Sequence, residues 1–403
     1  MPEILKEEKS QVGITQSPEG EQPQVEEKGH PAFKSRFERV LELSGFRRRN
    51  TLLGLDIGSS GIKLAEMNKT KTGWRLVNAG IVEFDFLSEV FSKPDTEGKL
   101  ALKIRTALRR FKVGTKNVAL SISGDGFVQR LITLPQMPKK ELEQVLAWEL
   151  KKYVDLPSDQ LCIDYLVNSK KDDLKDTLDV FLVSAPKRKV DESISLIQSA
   201  GLNCAVLETK ATALIGAVFE LAPEFCQKNF AILDIGSKTS LVNIVNNGFL
   251  SFTREIEWGG ENLTLALCDK LGYDRKKAET RKKQVGLSEG EEKRGTDSPE
   301  EWTNAAKILE EKMDNLIQEI AKSFEYYRAQ FPEDEIEQLL LTGGSSGLPS
   351  LQRFFTQRLE MNVQLFDPLD SLLSMENTEA RKYMQQVCGR LGVALGLSTW
   401  RRR

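Results

Sequence analysis

TLLGLDIGSSGIKLAEMN, residues 51–68, is the stretch on which the reading of this chain turns. Its apolar run ends in Asp56-Ile57-Gly58-Ser59-Ser60-Gly61 and resumes at Ile62-Lys63-Leu64. It therefore reads as a strand, a Gly/Ser turn and a returning strand, and WRLVNAGIVEFD follows as a third. The pattern returns at 229–255 as NFAILDIG, TSLVNIVNNG and FLSFTREIE. Leu55–Ser59 recurs there as Leu233-Asp234-Ile235-Gly236-Ser237, an internal repeat. Two related α/β halves are implied, with a ligand held between them.

The chemistry of the repeated turn follows from its residue types. A strand that delivers an aspartate into a Gly/Ser turn brings three things to one point. The carboxylate can hold a hydrated Mg²⁺, backbone N–H groups can face phosphate oxygens, and glycine permits close approach. Lys63, on the returning strand, adds a point charge for the same phosphates. One copy alone would equally be a plain strand-ending turn; two copies in two halves favour a site.

Between and around the repeats, KLALKIRTALRRFK (99–112), KKELEQVLAWELKKYV and VDESISLIQSAG have helical period. NVALSISGDGFVQRLITL gives two strands and LDVFLVSAP another. Residues 1–29 lack any apolar period and are expected to be disordered. In 32–48, Phe33, Phe37, Val40 and Leu41 stand at helical spacing, which fits either a solvated leader helix or a docking or membrane-surface helix. The charged stretch 287–301 reads as an exposed loop.

Composition removes whole classes of function. The chain has 403 residues, enough for two or three domains' worth of core, with 57 Lys+Arg against 59 Asp+Glu and a formal net charge of −2. No electrostatic footprint for nucleic acid is present. The five cysteines (Cys162, Cys204, Cys226, Cys268, Cys388) form no CxxC pair, so no disulfide framework or zinc site is indicated and a reducing compartment is expected. The single histidine, His30, lies in the polar leader, which excludes a Ser-His-Asp triad, a Cys-His pair and a His-based metal site. The start lacks a secretory pattern and no apolar run approaches the roughly 18–20 residues that span a bilayer, so a cytoplasmic location is expected, peripheral to the membrane through partners.

The joint order of several motifs carries a family resemblance. Asp56–Lys63 resembles the first phosphate motif of the actin, heat-shock ATPase and sugar kinase superfamily, with Asp56, Gly58, Ser59, Ser60, Gly61 and Lys63 as its ligand-facing residues. Asp234-Ile235-Gly236-Ser237-Lys238-Thr239 resembles the second phosphate motif, and Leu341-Thr342-Gly343-Gly344-Ser345-Ser346 the adenosine motif. Gly259-Gly260-Glu261 resembles the segment that contacts the ribose. Ala278-Glu279 with Lys282 and Gly286 resembles the ribose and purine segment of the cell-division homologue FtsA, although Glu279 and Lys282 also fit a solvated i,i+3 pair on a charged helix. Glu208, in LETKATALIGA, falls where the superfamily has a polar residue facing the metal-bound water, and the resemblance names it and Asp234 as candidate catalytic groups. Ser237 and Lys238 depart from the second motif of many ATPases, so slow hydrolysis or none is expected.

Stretches 130–167, 195–214, 252–272 and 339–369 resemble the PilM family of type IV pilus assembly proteins, and the resemblance covers about 51–397. It implies a two-lobed, actin-like α/β fold of ribonuclease H type, with ATP and Mg²⁺ in the interlobe cleft and Asp56 and Asp234 near the metal through water. The implied organisation is a leader at 1–50, a first lobe at 51–226 carrying a small inserted subdomain at about 85–172, a second lobe at 227–369, and a C-terminal helix in 370–403 that returns to the first lobe. The implied role is a scaffold that takes the short N-terminal cytoplasmic peptide of a PilN-like bitopic inner-membrane protein, with Gln144, Trp148 and Glu149 of the inserted subdomain as candidate contacts. Trp148 is equally able to pack against neighbouring strands. Pilus motor ATPases or the platform protein as further partners, and self-association, stay open, as do an FtsA-like cell-division filament protein and a small-molecule kinase of the same fold.

Overall fold

The structure is a computed structural model describing residues 51–71, 73–84, 96–168, 177–287, 299–368, 372 and 378–400. The leader 1–50 and most of the 287–301 loop lie outside the described residues. The described chain opens with β1 (Leu53–Gly58), β2 (Gly61–Lys69) and β3 (Trp74–Glu83), then α1 (Thr96–Arg110) and β4 (Asn117–Ile122). Next come β5 (Val128–Pro135), α2 (Lys139–Glu149), β6 (Leu161–Val167), β7 (Thr177–Pro186) and α3 (Lys187–Ser199). β8 (Asn203–Thr209) and α4 (Lys210–Leu221) lead into β9 (Phe230–Ile235), β10 (Ser240–Asn246) and β11 (Phe249–Ile256). Helices α5 (Gly260–Leu271), α6 (Arg275–Val285) and α7 (Pro299–Gln330) precede β12 (Gln338–Thr342), α8 (Leu351–Leu359) and β13 (Asn362–Leu365). The last elements are α9 (Thr378–Val387) and α10 (Gly392–Thr399).

The internal repeat becomes a repeat of topology. One five-stranded sheet has the order β3-β2-β1-β4-β8 and the other β11-β10-β9-β12-β13. In each, an antiparallel three-strand meander is extended by two parallel strands reached through helical crossovers. The strands that carry aspartate, β1 and β9, are central in their sheets. Helices cover both faces of the first sheet, which is why β1 reads as a continuous apolar run instead of alternating. Leu53 and Leu55 pack with Ile104 of α1 and Ile197 of α3. On the opposite face α10 comes so close that a Cβ on Gly54 would sit 1.9 Å from the Ala394 carbonyl oxygen. Each fully buried leucine or isoleucine here contributes about 1.5–3 kcal/mol of transfer free energy. The C-terminal helix thus lies against the first lobe, on β1 and α4, with Val393 and Leu397 in the core that holds Leu214 and Val218.

A three-stranded antiparallel sheet, β5-β7-β6, stands apart from these two. Its helix α2 turns Leu142 and Leu146 inward, and Leu150 follows on the same stripe. This sheet occupies Val128–Pro186, between β4 and α3. Of the stretch expected as an insertion, the part forming α1 packs instead under β1 and β2 through Leu100, Ala101, Ile104 and Ala107. Strand pairing, which composition does not reveal, makes that difference.

Candidate functional site

The two aspartate-bearing strands end at one cleft. It is lined by Asp56, Gly58, Ser59, Ser60 and Lys63 from the first repeat, and by Asp234, Gly236, Ser237 and Thr239 from the second. Antiparallel pairing places Lys63 directly across from Asp56. The Lys63 ammonium donates to Asp56 Oδ2 at 2.9 Å and the Ser121 hydroxyl to Oδ1 at 2.7 Å, so both carboxylate oxygens are engaged. Burial would raise the Asp56 pKa, but the charges of Lys63 and Lys210 and these two hydrogen bonds outweigh it and hold the group well below the ordinary carboxylate range. Burial likewise works against the charge on Lys63, and Asp56 and Asp234 override it, keeping the ammonium protonated.

Asp234 is placed differently. Its cross-strand partner is Leu241, and its neighbour on β12 is Thr342, whose hydroxyl donates to the Gly389 carbonyl at 2.8 Å. Among the described residues the Asp234 carboxylate has no hydrogen-bond partner. Burial, reinforced by the charges of Asp56 and Glu255, pushes its pKa up against the pull of Lys63 and Lys210.

The second repeat gathers the remaining motifs around its turn. The N-terminus of α5 docks on the phosphate turn through Gly260 N–H to the Gly236 carbonyl at 2.9 Å and Glu261 N–H to the Ser237 carbonyl at 2.8 Å. The Ser345 N–H donates to the Ile235 carbonyl at 3.2 Å. Gly343 has φ +96°, and a Cβ there would lie 2.3 Å from Asp234 Oδ1, so no other residue fits. Gly344 is exposed beside it. Lys282 is 6% exposed, and its ammonium donates to the Gly260 carbonyl at 3.0 Å, Thr264 Oγ1 at 2.9 Å and Glu279 Oε2 at 2.7 Å. This is a built-in cluster and not a solvated helix pair. Burial opposes the Glu279 charge, but Lys282 and the Thr264 hydroxyl bring its pKa down to about 2. Burial lowers the Lys282 pKa despite Glu279. Glu261 is paired with Arg275.

Other expected residues fall elsewhere. Lys238 is exposed and does not line the cleft. Glu208 does not line it either: its carboxylate accepts from the Thr212 hydroxyl, from the Thr209 N–H at 3.0 Å and from Trp400 Nε1 at 3.1 Å. The cleft position near it belongs to Lys210, at the start of α4. Gln144 and Trp148 are exposed on α2, Trp148 at 59%, with the Lys152 ammonium 4.8 Å over its ring and 2.7 Å from Glu149. The alternative in which Trp148 packs against the neighbouring strands therefore does not hold. Sequence reasoning missed Ser121, Phe127, Gln129, Lys210 and Glu255. A signal for Ser121 existed, a hydroxyl set among the apolar residues Val118–Leu120 and Ile122 of its strand.

The site is suited to a phosphorylated ligand. Two Gly/Ser turns and two lysines meet at one end, and a glycine-lined wall with a buried lysine cluster lies beside the second turn. For a hydrated divalent cation the fit rests on Asp234, whose oxygens are not engaged, more than on Asp56. Among the described residues no helix is long and apolar enough to cross a membrane, and no group of three or more His, Cys, Asp or Glu could hold a metal by itself.

Comparison with known proteins agrees with this architecture. The chain is 22% identical over 351 residues to the cell division protein FtsA of Bacillus subtilis, covering 78% of each chain. It is 26% identical over 175 residues to the ethanolamine utilization protein EutJ of Salmonella typhimurium, which is 43% of this chain and 52% of that one. A solved PilM-PilN type IV pilus biogenesis complex superposes with a TM-score of 0.73 at 22% identity, covering 87% of this chain and 98% of that one, so the two share a fold. The family model for type IV pilus assembly protein PilM matches residues 54–402, and the chain belongs to that family.

Proposed function

We propose that this protein is an ATP-binding scaffold of type IV pilus assembly, which captures the short cytoplasmic N-terminal peptide of a PilN-like bitopic inner-membrane protein. The observation that carries the nucleotide half is the meeting of both Asp-Ile-Gly-Ser turns with Lys63 and Lys210 in one cleft. Lys63 and the N–H groups of the two turns would hold the phosphates, Gly260, Glu279 and Lys282 the ribose and purine side, and Gly343–Ser345 the adenosine face. Asp234 would hold a Mg²⁺ through its water. When bound, the metal supplies charge neutralisation between phosphate oxygens and the second lobe.

The peptide half is supported by family membership and by the exposed Trp148 on a subdomain too small to bury both faces of its helix. Turnover is expected to be slow or absent. Glu208 is engaged away from the cleft, and the second turn carries Ser237 and Lys238.

Titration with ATP·Mg²⁺ tests the first half. The wild type should gain about 2.7 kcal/mol of stability at a hundredfold excess over its dissociation constant, and Asp56→Ala with Asp234→Ala should abolish the gain. No stabilisation by any nucleotide would refute it. For the second half, Glu149→Lys or Gln144→Trp should weaken a peptide from the cytoplasmic start of a PilN-like protein and leave ATP binding intact. Loss of ATP binding in those variants would sink the proposed division of labour. An isolated-protein turnover approaching about 10 s⁻¹, the middle of the enzyme range, would argue for a kinase or motor instead.

A further inference from the structure

Three groups of residues wall the phosphate end of the cleft. Two are the Gly/Ser turns. The third comprises Ser123, Phe127, Gln129, Lys210 and Glu255, and no motif assigns it a task. Neither Lys282 nor Gly343–Ser345 lines this end.

Two members are chemically incomplete. The side-chain oxygen of Gln129 is buried without a hydrogen-bond partner. Among the described residues the Lys210 ammonium makes no hydrogen bond or ion pair, although its charge is felt by both Asp56 and Asp234. A buried amide without a partner is costly, and a ligand that supplies one is favoured accordingly. An amide can donate to a phosphate oxygen through its NH₂ and accept from a bound water through its oxygen, and an ammonium adds charge-assisted donation.

Gln129 also differs from every other lining residue in its address. It lies on β5, the strand that opens the inserted three-stranded sheet. β5 is paired along its length with β7, from Val128 opposite Ser184 to Pro135 opposite Thr177, and it runs into α2 after three residues. It also lies against β11 of the second lobe, which carries Glu255.

Resting on the nucleotide reading above, we propose that Gln129 and Lys210 read the terminal phosphate of a nucleoside triphosphate and transmit its presence to the inserted sheet. A diphosphate is held by the two turns and leaves both groups unsatisfied. A triphosphate gives each a partner and draws β5 toward the cleft. The sheet and α2 then favour one arrangement, to the extent that the triphosphate binds that arrangement better.

Hydrogen–deuterium exchange of the full chain, with saturating ADP or the non-hydrolysable AMPPNP, reads this without relying on turnover. In the wild type, AMPPNP should slow exchange in β5 and α2 severalfold more than ADP does. Gln129→Leu should bind ADP within about twofold of wild type, lose roughly tenfold in AMPPNP affinity and lose the extra protection, and Lys210→Met should weaken AMPPNP severalfold more than it weakens ADP. Gln129→Asn, which keeps the amide but shortens it, guards against a folding defect and should behave as Gln129→Leu does. Retention of the AMPPNP-specific protection in Gln129→Leu, or equal protection by ADP in the wild type, would overturn the inference. Binding of neither nucleotide by the wild type would remove the nucleotide reading itself and this inference with it.

Discussion

The two hairpins share the Leu-Asp-Ile-Gly-Ser motif, the same strand pairing and the same place in their sheets, yet the pKa of Asp56 is pushed down and that of Asp234 up. Asp56 is 2% exposed and held ionised by Lys63 across the hairpin and by Ser121 on the parallel neighbour β4. At the matching positions around Asp234 stand Leu241, which brings no charge, and Thr342, whose hydroxyl is bonded to Gly389. Two side chains therefore turn a symmetric backbone into an asymmetric site. The first lobe presents ammonium groups, Lys63 and Lys210, and the second presents carboxylates, Asp234 and Glu255. A phosphate chain suits the first wall directly and the second only through a cation.

The comparison is most strongly tested by removing each carboxylate. Asp56→Ala leaves the Lys63 ammonium in a low-dielectric site without its partner and should cost on the order of 3 kcal/mol in urea unfolding. Asp234→Ala removes a group whose charged form is disfavoured and should change stability by less than about 1 kcal/mol. Equal costs would mean that the asymmetry is not energetic.

The pH dependence of the nucleotide-free protein should differ in sign between the two. Asp56 has a depressed folded pKa, so its contribution is present above the unfolded value near about pH 4 and is lost as pH falls through the folded value. Asp234 has a raised folded pKa, so its contribution is full below that unfolded value and is lost as pH rises through the folded one. Asp234→Asn should therefore flatten the decline of stability above about pH 4, while Asp56→Asn should remove the rise. Melting temperatures between pH 3 and 8 separate these outcomes.

Leu241→Lys would give the second hairpin the cation that the first already has. It should bring the Asp234 pKa down and shrink the difference in nucleotide affinity between Mg²⁺ and EDTA buffers severalfold. An unchanged metal dependence would show that Asp234 is not the group facing the cation. The smallest effect is expected in the inserted subdomain, which has no counterpart in the second repeat. Trp148→Ala, at an exposed position, should move stability by no more than about 0.5 kcal/mol while weakening the peptide.

Read alone, the sequence determined the repeated strand–turn–strand units, the α/β class, both aspartate turns and the Gly343-Gly344 corner, because these are local. Apolar runs, turn glycines and motif order are visible without knowing what packs on what. It also placed Gln144 and Trp148 on the α2 helix. Only the tertiary structure decided which side chains face one another. Lys63 was legible as a cleft charge but not as the partner of Asp56. Ser121, Lys210, Glu255 and Gln129 come from four separate elements and carry no motif. Glu208 had the right residue type at the right place along the chain, yet its carboxylate is bonded to Trp400 and Thr212. The physical reason is that electrostatic state depends on distances of a few ångströms between residues as far apart as Asp56 and Ser121, or Glu208 and Trp400. Those distances are fixed by strand pairing and helix packing, not by neighbours along the chain.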